Sequence, residues 1–241
     1  MKDKVVYATE FHWQQTHMRL KSDLKECFSN AKSAVMNSRI LLEQYILDHP
    51  YFVTSLEPIE VDLTAAGFIR NMMQAGLLAD VGPMAAVAGG LAEVATETMI
   101  AHECKLAIAE NGGDISVKGY DQITVGVYAG ESQVAKRLGF KIKANELPIA
   151  ICTSAGSVGH SISLGDADAV VVFSSSAFLA DAAATAVANV VKGTDAEGAI
   201  QAGLERSDDI EGIFGCMIIY QELVGKTGKI PEMIEVVESD M

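Results

Sequence analysis

The spacing of apolar and polar residues changes period several times along the chain. Near the start, His17, Arg19 and Lys21 alternate with Met18 and Leu20. That period of two predicts a half-buried strand over 15–21, paired as a hairpin with a strand over 5–9. His12 and Trp13 then fall at or near the turn, where packing, capping and ligand contact are all open. Over 23–48 the spacing becomes helical, with Leu24, Phe28, Ala31, Val35, Ile40, Leu41, Tyr45 and Ile46 on one stripe. Asp23 suits the N-cap of this helix, and Pro50 stops it. Two more helices are expected, over 63–78 and from 83 to about 102, the latter with Pro83 in its first turn. Ala85, Ala88, Gly89, Ala92 and Ala95 give the latter a face of small residues, with Glu93 and Glu97 on its solvent side.

Short apolar runs predict strands over 106–109, 116–118, 122–128, 140–143, 149–152 and 169–173. An alanine-rich helix opens near Ser176 and ends near Lys192 and Gly193, and a shorter one covers 195–204. Residues 217–224 and 233–237 are expected to close the chain as a hairpin. This order predicts an α+β fold of mostly antiparallel sheets layered with two pairs of helices. Without a polar or Pro-rich linker, 1–241 is expected to form a single domain. Leu78-Ala79-Asp80 followed by Ala86-Val87-Ala88 recurs as Leu179-Ala180-Asp181 followed by Ala186-Val187-Ala188, a faint echo that duplication or chance explains.

Composition narrows the function classes. Apolar residues make up 49% and charged residues 21%, enough to bury a sizeable core. A net charge of −14 opposes binding to nucleic acid or an anionic membrane surface. The densest basic patch, Lys136, Arg137, Lys141 and Lys143, is short and reads as a solvated loop and strand. Cys27, Cys104, Cys152 and Cys216 are widely spaced and form no CxxC, so neither a zinc site nor a disulfide framework is indicated. The start lacks a basic region followed by an apolar one, and no apolar run of about 18 residues appears. A soluble, cytoplasmic protein is expected.

Three stretches suggest chemistry. Asp181 is the one charged residue inside the alanine-rich helix, and Thr185 follows four positions later on the same face. A carboxylate and a hydroxyl are ligands that hard cations prefer, although dipole and back-bonding roles compete. The serines at 174–176 offer the helix a better N-cap. In Glu110-Asn111-Gly112-Gly113-Asp114 the glycines permit close approach to a ligand or simply make a turn. Thr153-Ser154-Ala155-Gly156-Ser157-Val158-Gly159-His160 gathers hydroxyls and glycines suited to phosphate oxygens, with His160 as a proton donor or positive charge. A nucleophilic Ser154 or Ser157 beside His160, oriented by Asp166 or Asp168, is a weaker alternative because no G-x-S-x-G elbow is present.

Asn111-Gly112-Gly113-Asp114, Thr153-Ser154 with Gly156, and Ala180-Asp181 to Thr185 resemble, in the same order, three motifs of the ApbE flavin transferases. Those enzymes use Mg²⁺ to move the FMN part of FAD onto a threonine or serine of a target protein. Asp80-Val81-Gly82-Pro83-Met84-Ala85 resembles their DLGGIA segment. By position, the resemblance implies metal ligation by the Ala85 carbonyl, Asp181 and Thr185. Over nearly the whole chain the sequence is similar to a group of uncharacterised ApbE-like proteins of archaea and some bacteria. The shared marks are Gly82-Pro83-Met84-Ala85-Ala86-Val87-Ala88-Gly89, Glu110 to Asp114 and Gly159-His160-Ser161. The resemblance implies a T-fold-like architecture with the site between two halves.

Departures from the transferases alter the expected function. Their lysine is Ala86 here, their long segment before the metal helix is cut to a few residues around His160, and their N-terminal motif and export signal are missing. The expected function is therefore binding of a divalent cation, Mg²⁺, with a phosphate-bearing small molecule such as FAD, FMN or another nucleotide, and with it transfer or hydrolysis at the phosphate. The alternative is a binding or carrier protein that has lost transferase chemistry. A homodimer is left open.

Overall fold

The N-terminal alternation does produce a hairpin. The computed structural model describes residues 6–126, 138–154 and 164–235. Strands β1 (Tyr7–Trp13) and β2 (Thr16–Ser22) pair antiparallel, with Gln14 and Gln15 at the turn. Met18 and Leu20 are fully buried, while His17, Arg19 and Lys21 face solvent. His12 and Trp13 lie within β1.

Helix α1 (Cys27–Asp48) begins later than its apolar stripe suggests, and Asp23 does not cap it. Asp23 Oδ1 instead accepts the backbone N–H groups of Lys105 and Leu106, at 2.9 and 3.0 Å. A cap donated to a distant element cannot be read from local spacing. Then come α2 (Tyr51–Thr54), α3 (Gly67–Ala79), a 3₁₀ turn (Pro83–Ala86) and α4 (Val87–Ala101). Strands β3 (Leu106–Asn111), β4 (Asp114–Gly119), β5 (Ile123–Gly126), β6 (Leu138–Ile142), β7 (Ile149–Ser154) and β8 (Ala169–Ser174) precede α5 (Ala177–Ala188) and α6 (Ala196–Asp208). Strands β9 (Ile213–Tyr220), β10 (Leu223–Gly228) and β11 (Glu232–Glu235) follow.

Eight strands form one sheet in the order β1-β2-β3-β4-β7-β8-β9-β10, every pair antiparallel, and β11-β6-β5 form a smaller one. Helices cover one face of the large sheet and the small sheet packs on the other. Strand β8 is therefore buried on both faces. Val170 and Val172 pack in the core with the helices, while Ala169, Val171 and Phe173 pack in the core with the small sheet. Its continuous apolar run follows from that double burial. The architecture is α+β.

The topology repeats: two strands, helices, two strands, and then the same again from β7 to β10. The sequence echo does not coincide with this repeat. Asp80 caps α3 in a left-handed conformation with φ 52°, whereas Asp181 lies inside α5. The closing hairpin also differs from expectation. Residues 217–224 run through a turn at Gln221 and Glu222, so β9 pairs with β10, and β11 pairs with β6. Glycine and asparagine, the residues that usually mark such a turn, are absent from its two positions. The helical stretch Pro83–Ala101 has a mean hydropathy of 1.2 over 18 residues, long and apolar enough to cross a membrane. It packs instead against α1, α5, β3 and β4, which accounts for its apolar composition.

Candidate functional site

The β3–β4 turn positions the first residues. Asn111 pairs with Asp114 across Gly112 and Gly113, whose φ values of 66° and 104° are both positive. Such a two-residue turn favours glycine, which explains the local sequence without a ligand. Its effect is to bury two polar side chains and aim them at neighbouring elements. Asn111 Nδ2 donates to the Ala88 carbonyl of α4 at 3.1 Å, and Asp114 Oδ1 accepts the Thr153 N–H of β7 at 3.2 Å.

Helices α4 and α5 meet at Gly89. A Cβ at this position would lie 2.3 Å from the Ala177 carbonyl oxygen and 2.8 Å from Asp181 Cβ, so only glycine permits the approach. The Gly89 N–H, in the first turn of α4, donates to Asp181 Oδ2 at 2.8 Å. Asp181 thus serves an unpaired helix amide, but that of another helix. The relation is reciprocal. Glu93 of α4, expected on the solvent side, instead reaches the start of α5, where its Oε2 accepts Ser176 Oγ at 2.9 Å, Ala177 N at 2.5 Å and Phe178 N at 3.3 Å. The Ser176 side chain makes no capping bond to α5. Each helix supplies the carboxylate that caps the other.

Beneath this crossing, acidic groups converge. Burial pushes the Asp114 carboxyl up to about 7, against the Thr153 amide and the Cys152 side chain, which favour its ionised form. Burial and then the Asp114 charge push Asp181 well above the ordinary carboxylate range, although the Gly89 and Ala88 amides oppose this. Burial also raises the Cys152 thiol, as do the charges of Asp114 and Asp181. Among the described residues no ion pair involves either aspartate. Two neighbouring buried carboxyls without a counter-charge are costly when ionised.

Oxygen donors surround the pair. Thr185 lies one turn beyond Asp181 and is equally buried, and the 3₁₀ turn carrying Ala85 packs against α5. Thr153 Oγ1 and Ser154 Oγ are buried without a hydrogen-bond partner among the described residues. Uncompensated carboxyls beside unpaired hydroxyls fit a hard cation and an anionic ligand, since both prefer such partners. Ala86 is fully buried and brings no charge. Gly156, Ser157 and His160 lie outside the described residues.

The serine-hydrolase alternative turns on Ser157 and His160, which lie outside the described residues. Asp166 Oδ2 accepts Gly193 N–H at 3.1 Å and Asp168 Oδ2 accepts Gln221 N–H at 2.8 Å, so each already serves a loop amide, while the Ser154 hydroxyl has no partner among the described residues. A groove of about 230 Å³ lies at the other end of β7, lined largely by Leu147, Pro148, Ile149, Phe214, Ile230 and Pro231. Asn145, Glu146, Ser175 and Lys229 complete its lining. Sequence reasoning placed Gly89 on a face of small residues but not its partner Asp181, and it missed Glu93 and Cys152 as parts of the crossing. The adjacent Gly89-Gly90 was the available signal, since two glycines inside a helix usually have a packing reason.

Comparison with known proteins places this geometry in context. A UPF0280 protein of Methanococcus maripaludis is 47% identical over 224 residues, covering 92% of this chain and 90% of its own. One from Methanocaldococcus jannaschii is 42% identical, with 92% and 91% covered. Among solved structures, the Pseudomonas stutzeri flavinyl transferase ApbE in its apo form aligns with a TM-score of 0.59 at 11% identity, covering 93% of this chain and 94% of that one. The Thermotoga maritima ApbE protein aligns with a TM-score of 0.57 at 12% identity, with 98% of each chain covered. These structural likenesses show the fold. A family model described as "AbpE bacteria" matches residues 2–209, and with these relatives it shows that the chain belongs to that ApbE-like family.

Proposed function

We propose that this protein binds a divalent cation, Mg²⁺, together with a phosphate-bearing ligand, a flavin such as FAD or FMN or another nucleotide, where α4, α5, the β3–β4 turn and β7 meet. The observation that carries this reading is the buried Asp181 carboxyl, beside Asp114 and one turn from Thr185, with no described cationic side chain to balance it. Asp181, Thr185 and the Ala85 carbonyl would hold the cation. Thr153, Ser154, Gly156 and the Asn111-Gly112-Gly113-Asp114 turn would receive the ligand, and His160 would supply a proton. A cation there would neutralise charge developing at a phosphate oxygen, which suits transfer or hydrolysis. The structural neighbours named as flavin transferases support the choice of a flavin. The chain would work as one cytoplasmic domain.

Ala86 favours a second reading, a binding or carrier protein without transfer chemistry, because no positive charge stands where the resemblance implies one. The test of the ligand class is mass spectrometry of small molecules released from natively purified protein. A flavin or nucleotide at near-stoichiometric yield is expected. Recovery of a ligand without phosphate would count against the proposal.

A further inference from the structure

The solvent face of the β1–β2 hairpin carries a second group of ligating side chains, on the opposite side of the sheet from α4 and α5. His12 and His17 are register partners, and their rings stack with centroids 4.0 Å apart and 19° between planes. Glu10, two residues before His12, lies on the same face because strand side chains alternate. Its Oε1 is shared: His17 Nε2 hydrogen-bonds to it, and His12 Nε2 lies 3.3 Å away. One ligand atom from each of the three falls within 4.8 Å of the others.

We propose that Glu10, His12 and His17 form a surface site for a borderline-soft divalent ion, with Zn²⁺ as the representative. Two imidazoles and one carboxylate match the donors that Zn²⁺ takes, whereas Mg²⁺ prefers oxygen alone. The site is thus chemically distinct from the one at Asp181. Both Nε2 atoms converge on a single carboxylate oxygen, and a cation there would displace the proton that joins His17 to Glu10. Arg19 sits 3.7 Å from Glu10 Oε2 and 3.9 Å from Glu110 Oε2, so Glu110 can keep this competing cation when Glu10 turns to a metal. Three protein ligands leave a coordination position open for water or for a side chain of another molecule. The hairpin supplies the geometry through its register alone, and β1 is the edge strand of the sheet, where such a position is accessible.

The test uses tag-free full-length protein stripped with a chelator and titrated calorimetrically with ZnCl₂. One equivalent is expected to bind to wild type and to Asp181→Asn alike. His12→Ala, His17→Ala and Glu10→Gln are each expected to weaken binding on the order of tenfold or more, the scale set by removing even an outer-shell partner of a metal site. All three side chains are exposed, so the circular dichroism of each variant should match wild type. Failure of wild type to bind Zn²⁺, unchanged affinity in both histidine variants, or loss of binding in Asp181→Asn alone would overturn the proposal.

Discussion

The backbone N–H of Gly89 lies 2.8 Å from Asp181 Oδ2, and the missing Gly89 side chain lets the two helices come that close. The contact joins the first turn of one helix to the interior of another, across the seam between the two halves of the sheet. It also fixes the orientation of a carboxylate that burial and the nearby Asp114 charge hold above its ordinary range.

Gly89→Ala should therefore damage both stability and the site. A Cβ 2.3 Å from the Ala177 carbonyl oxygen forces backbone to move, and such overpacking costs about 1–3 kcal/mol. Urea titration should show a lower midpoint with an unchanged slope. A wild-type midpoint would mean that the helices separate freely.

Glu93→Ala should unpair the amides of Ala177 and Phe178, both buried. Loss of charge-assisted bonds of this kind costs about 1.5–3 kcal/mol. The same titration measures it, and a change within about 0.5 kcal/mol, as for a surface position, would return Glu93 to the solvent-facing role its sequence suggests.

Asp114 gives the cation-free protein a pH dependence. Its folded-state carboxyl is raised to about 7, above its ordinary value of 3.8, so between these values the folded state holds a proton that the unfolded state releases. Stability from this group is full below the lower value and is lost as pH rises toward 7. The melting temperature without divalent cation should fall over that interval, and Asp114→Asn should flatten the fall. A wild-type melting temperature that rises through the same interval, unaltered by Asp114→Asn, would place the Asp114 carboxyl in its ordinary range.

Much of the frame was legible in the sequence. The alternation around Met18 and Leu20 and the apolar run of β8 are local patterns with one physical solution each, whereas the apolar stripe of α1 matches the structure only in part, since Ile40 and Leu41 are exposed while Ser38 and Leu42 are buried. Asn111-Gly112-Gly113-Asp114 was legible both as a turn and as part of a site, because the same positive-φ glycines that close the hairpin bring Asn111 and Asp114 inward. The helix caps were not legible. Asp23, Glu93 and Asp181 all serve amides on other elements, and local spacing carries no information about such partners. The partner of β11 was hidden for the same reason, since pairing with β6 depends on how the small sheet folds over the large one.

Magnesium should raise the melting temperature of wild type by about 5 to 10 °C when free cation exceeds Kd about a hundredfold, as a ligand of the folded state does. Asp181→Asn keeps an oxygen for the Gly89 N–H but removes the charge. It should retain or exceed the wild-type melting temperature without cation and lose the increment. An equal increment in the variant would remove Asp181 from the cation site.

Ala86 bears on chemistry. A missing charge-assisted contact costs about 1.5–3 kcal/mol, roughly one to two orders of magnitude in affinity or rate. Incubation with FAD, Mg²⁺ and a transferase target peptide should therefore leave the peptide unmodified. Covalent FMN on the peptide would restore the transferase activity that Ala86 argues against.

Calorimetric titration of FAD into wild type and Asp181→Asn, each with and without Mg²⁺, tests the central claim most directly. The account predicts micromolar or weaker binding to wild type that requires Mg²⁺, with none to the variant. FAD binding of equal strength in both proteins, with or without Mg²⁺, would contradict it.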